Sequence, residues 1–259
     1  MLGELVRTEF KLRYQGSVLG YLWSLLKPLF LFAIMYVVFV RFLRFGDGIP
    51  HFPIQLLLGI VLWGFFAEIT NYGMTSIVGR GDLIRKISFP KYIIVLSGTV
   101  SALINLGFNL AVVGIFMLVD GVDLHRTAVL FPLNVLEIYI FAVAMAFLLA
   151  ALYVKLRDLS HIWEVIMQAA FYATPVIYPL ILLIQQQQVL AAKFILLSPV
   201  AQAMQDARYN LITHDKTIRI YDLIHNPVIL AIPFIIVAGA SILAIWYFRK
   251  ESKHFAENI

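Results

Sequence analysis

Six apolar runs, each long enough to cross a bilayer, leave this chain little choice of environment. A span needs about 20 mostly apolar residues, because the hydrocarbon core is about 30 Å thick and a helix rises about 1.5 Å per residue. Residues 22–40, 54–74, 92–119, 129–154, 162–184 and 227–248 qualify. The runs are apolar on all sides, whereas the strands of a lipid-facing barrel alternate over stretches of about ten residues. Composition points the same way: 61% of the 259 residues are apolar and 14% charged, with mean hydropathy +0.88, against about 45–50% and about 25% in soluble proteins. The expected fold class is an all-α membrane protein with six transmembrane helices forming one domain over 1–259.

An even number of spans puts both termini on one side, and the basic residues choose which. Thirteen of the 20 Lys and Arg fall in the N-terminal stretch, the second and fourth loops and the tail. That side is expected to be cytoplasmic, and no cleavable signal peptide is expected, since the first 21 residues lack the basic-then-apolar order. Within the N-terminal stretch, Leu2, Leu5, Val6, Phe10 and Tyr14 recur at helical spacing while Glu4, Arg7, Thr8, Lys11 and Gln15 take the other face. This predicts an interfacial helix over 1–17, its basic residues near anionic lipid.

The outer segment 185–226 is too apolar for a plain loop. Apolar arms at 180–184 and 189–197 flank the glutamines 185–188, which suggests a re-entrant helical hairpin between the fifth and sixth spans. Residues 200–211, with Gln202, Gln205, Asp206 and Arg208 among apolar positions, then look like a second interfacial helix.

The chain offers little chemistry of its own. It has no cysteine, its six histidines show no i, i+4 pair, and there is no GxxxxGK[ST] phosphate loop, so no metal site and no bound cofactor are expected. Nothing points to a nucleic-acid partner. Glu68 in the second span and Glu137 in the fourth are suspects by default, neither joined by a second buried carboxylate or a basic partner on a neighbouring turn. Ser97, Ser101, Asn105 and Asn109 recur every four residues in the third span. Such a stripe lines a conduit or bonds to a neighbouring helix, and the second is favoured. Ala142, Ala146 and Ala150 in the fourth span fit close helix packing. Pro175 and Pro179 must kink or break the fifth span, and the carbonyls so freed need a partner or water.

These features follow an ordered pattern. Arg13-Tyr14-Gln15-Gly16-Ser17-Val18-Leu19-Gly20-Tyr21-Leu22-Trp23 followed by Pro28, then Trp63 with Phe65-Phe66, Lys86-Ile87-Ser88-Phe89-Pro90, Arg157-Asp158 and Thr174-Pro175-Val176-Ile177-Tyr178 resemble, in register over nearly the whole chain, the permease subunits of polysaccharide-exporting ABC transporters, the O-antigen, capsule and teichoic acid exporters of the type-2 class. One departure is Leu197-Ser198-Pro199, where that family commonly has Asn-Pro; Ser198 is still a capping residue type.

The resemblance implies a homodimer in the bacterial inner membrane, both termini cytoplasmic, with two copies of a P-loop ATPase that supplies ATP and Mg chemistry, this chain being no enzyme itself. The implied cargo is a glycan on undecaprenyl diphosphate, most often O-antigen. Other type-2 cargoes (teichoic acid, capsule, a drug or a lipid) are the alternative; a secondary carrier or channel would need inverted repeats or paired intramembrane charges. On this basis Asp82, Leu83, Arg85, Arg157 and Asp158 are the candidate contacts to the ATPase. Arg7, Lys11 and Arg13 are candidates for the lipid diphosphate. Trp63, Phe65, Phe66, Tyr72, Phe171, Tyr172 and Tyr178 are candidates for the glycan path, and Pro175 and Pro179 for a gate.

Overall fold

A computed structural model describes residue 3, residues 20–86 and residues 90–255, without the side chains of Tyr21, Leu83, Arg85 and Lys86. Apart from Gly3, the expected interfacial helix over 1–17, with Arg7, Lys11 and Arg13, lies outside the described residues.

The described chain is helical, with no strand. Helix α1 (Trp23–Met35) runs into a π-helical segment (Tyr36–Phe42), and is followed by α2 (Phe52–Ser76), the short α3 (Gly81–Lys86), α4 (Tyr92–Val119) and α5 (Phe131–Lys155). Then come α6 (Leu159–Ala173), the short helices α7 (Ile181–Gln185) and α8 (Val189–Leu196), α9 (Pro199–Leu211), α10 (Ile220–Leu223), α11 (Pro227–Leu230) and α12 (Ile232–Glu251). Five of these stretches are long and apolar enough to cross a membrane: Trp23–Phe42, Phe52–Ser76, Tyr92–Val119, Arg126–Lys155 and Ile232–Glu251.

The expected fifth span, 162–184, is not one helix. Helix α6 stops at Ala173, where Thr174 turns extended (φ −83°, ψ 139°), and helix resumes only at Ile181. Pro175 cannot continue the hydrogen-bond ladder, and it disfavours helical torsions in Thr174 before it. The sixth span likewise starts later than expected, since α11 ends at Leu230 before α12 begins.

Helix α2 is the centre of the bundle. Pro53 sits in its first turn, where its missing N–H costs nothing, and α2 then packs chiefly between α4 and α5, with α9 crossing it. The approach to α5 is close because Gly73 faces Ala146, so that a Cβ on Gly73 would overlap the alanine methyl. Ala142, Ala146 and Ala150 are all fully buried along that seam. On the other side Gly98 of α4 leaves room for the Tyr72 ring. Helix α12 closes the outside of α5, with Phe147 and Phe248 edge to face at 4.9 Å.

One end of the bundle is tied by charge. Lys155 pairs with Glu251 at 2.6 Å, and the Lys91 ammonium donates to the Ser252 carbonyl and lies 5.7 Å from the Phe255 ring centre. At the opposite end, the far end below, Lys216 donates to the Gly48 carbonyl (2.5 Å) and His51 pairs with Asp120 (2.6 Å). There α7 and α8 fold back on each other about the glutamines, Gln187 taking a left-handed conformation (φ 61°), over a small core of Leu180, Ala192, Leu196, Ile220 and Ile224.

Helix α9 differs most from expectation. It is no interfacial helix: Gln202, Gln205, Asp206, Arg208 and Asn210 are all buried, and α9 packs against α5, α2, α8 and α12. Its polar residues find partners inside the protein, as described next. Ser198 precedes it in the N-cap position without a side-chain cap bond; its carbonyl accepts from Gln202 N at 2.9 Å.

Candidate functional site

Ending α6 at Ala173 strands backbone carbonyls at 175–176 in an apolar setting, where an unpaired carbonyl costs about 1–3 kcal/mol. Arg208 of α9 meets them. Its guanidinium, fully enclosed, donates from Nη1 to the Pro175 carbonyl (2.6 Å) and to Gln205 Oε1 (3.0 Å). Nη2 donates to the Val176 carbonyl (2.8 Å), and Nε to the Gln55 carbonyl of α2 (3.1 Å). Burial pulls the guanidinium down to about 10, so it stays charged at neutral pH. The passage exists because residue 59 is glycine: a Cβ there would overlap Arg208 Nη2 and lie 2.9 Å from the Val176 carbonyl. Tyr178 closes the turn, its hydroxyl donating to the Ala173 carbonyl at 3.2 Å. The sequence states the need for a partner at Pro175 but does not identify Arg208, 33 residues on. An arginine in a largely apolar helix was the available signal.

Beside the break, α1, α2, α4 and α6 enclose an open groove of about 480 Å³, lined among others by Trp23, Lys27, Trp63, Glu68, Asn105 and Phe171. Glu68 accepts from Asn105 Nδ2 at 2.7 Å, and Asn109 Nδ2 donates to the Asn105 carbonyl at 2.8 Å. The stripe on α4 is therefore divided. Ser97 and Ser101 are buried and donate to carbonyls of their own helix, while Asn105 and Asn109 reach the groove.

The aromatic candidates separate by exposure. Phe65 stacks on Tyr139 and Phe66 on Phe141 as core packing. Trp63 is edge-on to Phe171 at 5.9 Å, and both line the groove with an edge of Phe65. Tyr72 is held at Gly98, and Tyr178 belongs to the break. Tyr172 is 59% exposed. It continues a row with Glu164 and Gln168, all exposed and four residues apart on α6, so a polar row runs along the outward side of this helix beside exposed Ile162, Val165 and Ile166. Among its residues only Trp163 and Met167 are buried.

At the charged end, α3 follows a 3₁₀ turn (Val78–Arg80) with Asp82 exposed in its first turn, where a carboxylate favours the helix dipole. Ile84 is buried, and Leu83 and Arg85 lie outside the described side chains. Arg157 and Asp158 are exposed in the turn between α5 and α6, the Arg157 guanidinium 5.6 Å from the Tyr153 ring centre.

The expectation that Glu137 lacks a second buried carboxylate is overturned. Asp206 of α9, 69 residues away in sequence, shares with it a far-end cavity of about 620 Å³ between α5, α9 and α12. Gln202 Nε2 donates to Asp206 Oδ2 at 2.6 Å, and Asn210 Nδ2 to Asn134 Oδ1 at 2.9 Å. Burial pushes the Asp206 carboxyl up to about 6. Outside the cavity lining two histidines meet, the rings of His125 and His214 lying 4.2 Å apart, but no cluster among the described residues has three groups suited to a metal.

Comparison with known proteins gives the geometry a relationship. Residues 2–212 match the family model described as ABC-2 type transporter. The chain is 31% identical over 263 residues to the O-antigen export system permease protein RfbA of Myxococcus xanthus, covering all of this chain and 95% of that one. It is 28% identical over 179 residues to a protein of the same description from Klebsiella pneumoniae, covering 69% of this chain and 68% of the relative.

Proposed function

Because the chain belongs to the ABC-2 type transporter family, a multi-pass membrane permease family, we propose that it is the membrane half of an ATP-driven exporter moving lipid-linked polysaccharide, O-antigen being the cargo favoured by its relatives. Two copies form the conduit in the bacterial inner membrane, and a separate P-loop ATPase binds ATP and Mg at the charged end, which faces the cytoplasm. The exposed row Glu164, Gln168 and Tyr172 on α6 carries this proposal. A carboxylate and an amide on the outward face of a membrane helix are costly against lipid, so that face needs water, glycan or a second copy. The neighbouring groove with Trp63 and Phe171 supplies ring faces for sugars, and the break at Pro175 and Pro179 forms the gate above it, the pair α7 and α8 dipping into the outer leaflet.

Force enters through exposed elements of the cytoplasmic end. Helix α3, with Asp82, Leu83 and Arg85, docks on the ATPase, and Arg157 and Asp158 make a second contact. Arg7, Lys11 and Arg13 meet the diphosphate of the arriving lipid at the cytoplasmic surface.

The chain contains no cysteine, so single introduced cysteines report proximity cleanly. Gln168→Cys and Tyr172→Cys should each give disulfide-linked dimers in membranes, while Ile242→Cys on α12, 70% exposed, should not. Cross-linking from α12 alone would move the conduit elsewhere. Deleting the gene should leave polysaccharide inside the cell; unchanged surface polysaccharide would remove the proposed cargo.

A further inference from the structure

The far-end cavity lies apart from the groove, and its buried polar atoms are short of donors. Glu137 Oε1, Gln202 Oε1 and Asp206 Oδ1 are all buried acceptors without a hydrogen-bond partner. Gln202 and Asp206 are more than nine-tenths buried, at 1% and 7% exposed, and both line the cavity. Arg219, which also lines it, keeps a buried Nε with no acceptor, its guanidinium lying 3.6 Å from the Tyr209 ring centre. Left this way, each orphan is a cost to the fold. Three acceptors and one cationic donor together describe a ligand that carries a cation with N–H groups and, close by, an anion.

The rim says what the rest of that ligand is. Leu133, Leu136 and Ile140 of α5 and Phe234 of α12 are exposed at the mouth, continuous with the outward apolar faces of both helices. Glu137 lies six residues from the start of α5, about 9 Å along the helix, in the far-end half of the spanning stretch Arg126–Lys155. A glycan would need polar neighbours all round, whereas acyl chains suit this rim.

We propose that the cavity binds the head group of an aminophospholipid, its primary ammonium among Glu137, Gln202 and Asp206 and its phosphate on Arg219. The ammonium brings three N–H donors to three orphaned oxygens, and the phosphate gives Arg219 Nε a charge-assisted partner. Under the orientation proposed above the lipid belongs to the outer leaflet; the chemistry of recognition does not depend on that assignment. An occupied site fixes α9 against α5 and α12, and so acts on the helix that carries Arg208.

Native mass spectrometry of the detergent-solubilised full chain tests this with dioleoyl lipids differing only in head group. Along the series ethanolamine, N-methyl, N,N-dimethyl and choline, adduct formation should fall stepwise, by about tenfold overall, because each methyl removes an N–H donor. Phosphatidylglycerol should bind no better than the choline lipid. Glu137→Gln with Asp206→Asn should level the series, and Lys193→Gln, outside the cavity, should leave it intact. Equal adducts across the wild-type series would overturn the proposal even if the double variant failed to fold, and so would adducts with a soluble amino-sugar oligomer in place of lipid. The readout is independent of export, so its failure leaves the permease proposal standing.

Discussion

Replacing Arg208 by methionine keeps the volume of the side chain and removes its donors. Four hydrogen bonds disappear, three of them to the carbonyls of Gln55, Pro175 and Val176. Bonds to a charged group contribute about 1.5–3 kcal/mol each, a gross loss of about 6–12 kcal/mol. Against this, the variant no longer buries a guanidinium, whose desolvation costs several kcal/mol. The net expectation is a loss of about 3–5 kcal/mol, or a fall in Tm of about 10 °C for a chain of this length. Thermal unfolding in detergent measures the first quantity. Hydrogen exchange at the Val176 amide, which donates to Thr174 O at 2.7 Å, should accelerate as the turn loosens. Arg208→Lys, with one ammonium in place of a planar fork, should recover only part of the loss. Gly59→Ala should reproduce the defect from the opposite side, because its methyl occupies the space of Arg208 Nη2. The two changes should be strongly non-additive. An Arg208→Met protein with Tm within about 2 °C of wild type and unchanged exchange at Val176 would show that the guanidinium does not hold the break.

Other expectations follow from the same geometry. Gly73→Ala should cost about 1–3 kcal/mol by forcing α2 and α5 apart, with partial rescue by Ala146→Gly, read by thermal unfolding. Asp82→Ala with Arg157→Ala should leave insertion and ATPase turnover in place while export falls, measured in reconstituted vesicles; normal export would remove both residues from the proposed coupling surface. Asp206 faces Glu137 on α5 and Arg219, Tyr221 and Asp222 around α10, while the α12 residues at the cavity, Phe234, Val237, Ala238 and Ser241, do not titrate. Its carboxyl is raised from 3.8 to about 6, so the folded chain holds the proton more tightly than the unfolded one. Stability contributed by that proton is complete below pH about 4 and is lost as pH rises through about 6. Lipid-free Asp206→Asn should therefore be more stable than wild type at pH 7.5, by about 3 kcal/mol, and the advantage should vanish near pH 4. An advantage independent of pH would contradict this.

Length and hydropathy were enough to locate five of the spanning helices, because a run such as 92–119 has no soluble alternative. They were not enough for α6, where the run 162–184 is apolar throughout but Pro175 decides the outcome and α6 ends at Ala173. Helix α9 shows the deeper difficulty. Polar residues at 202, 205, 206 and 208 read alike whether water or protein receives them, and only the fold places Gln55, Val176 and Ile218 carbonyls within their reach. The Glu137 and Asp206 pair is illegible for the same reason, being a product of how α5 and α9 cross. The stripe on α4 was visible as a period of four, but its division into a buried half and a groove-lining half depends on where Glu68 of α2 stands. Among the aromatic candidates, composition could not separate Phe65 and Phe66, stacked on α5 rings, from exposed Tyr172.

Helix α2 is apolar enough to sit in lipid, yet the bundle hides most of it. Moving such a helix from lipid to protein exchanges one apolar neighbour for another, so greasiness contributes little to its association. Its place is set by fit, at Gly73 on Ala146 and at Tyr72 over Gly98. Mutational tolerance along α2 should then follow shape: Leu-to-Met exchanges at 56, 57, 58 and 62 should pass with little effect, while one added methyl at Gly59 or Gly73 does damage. A hydrophobicity scale would rank those changes in the opposite order, since each added methyl makes the helix more apolar and the bundle worse.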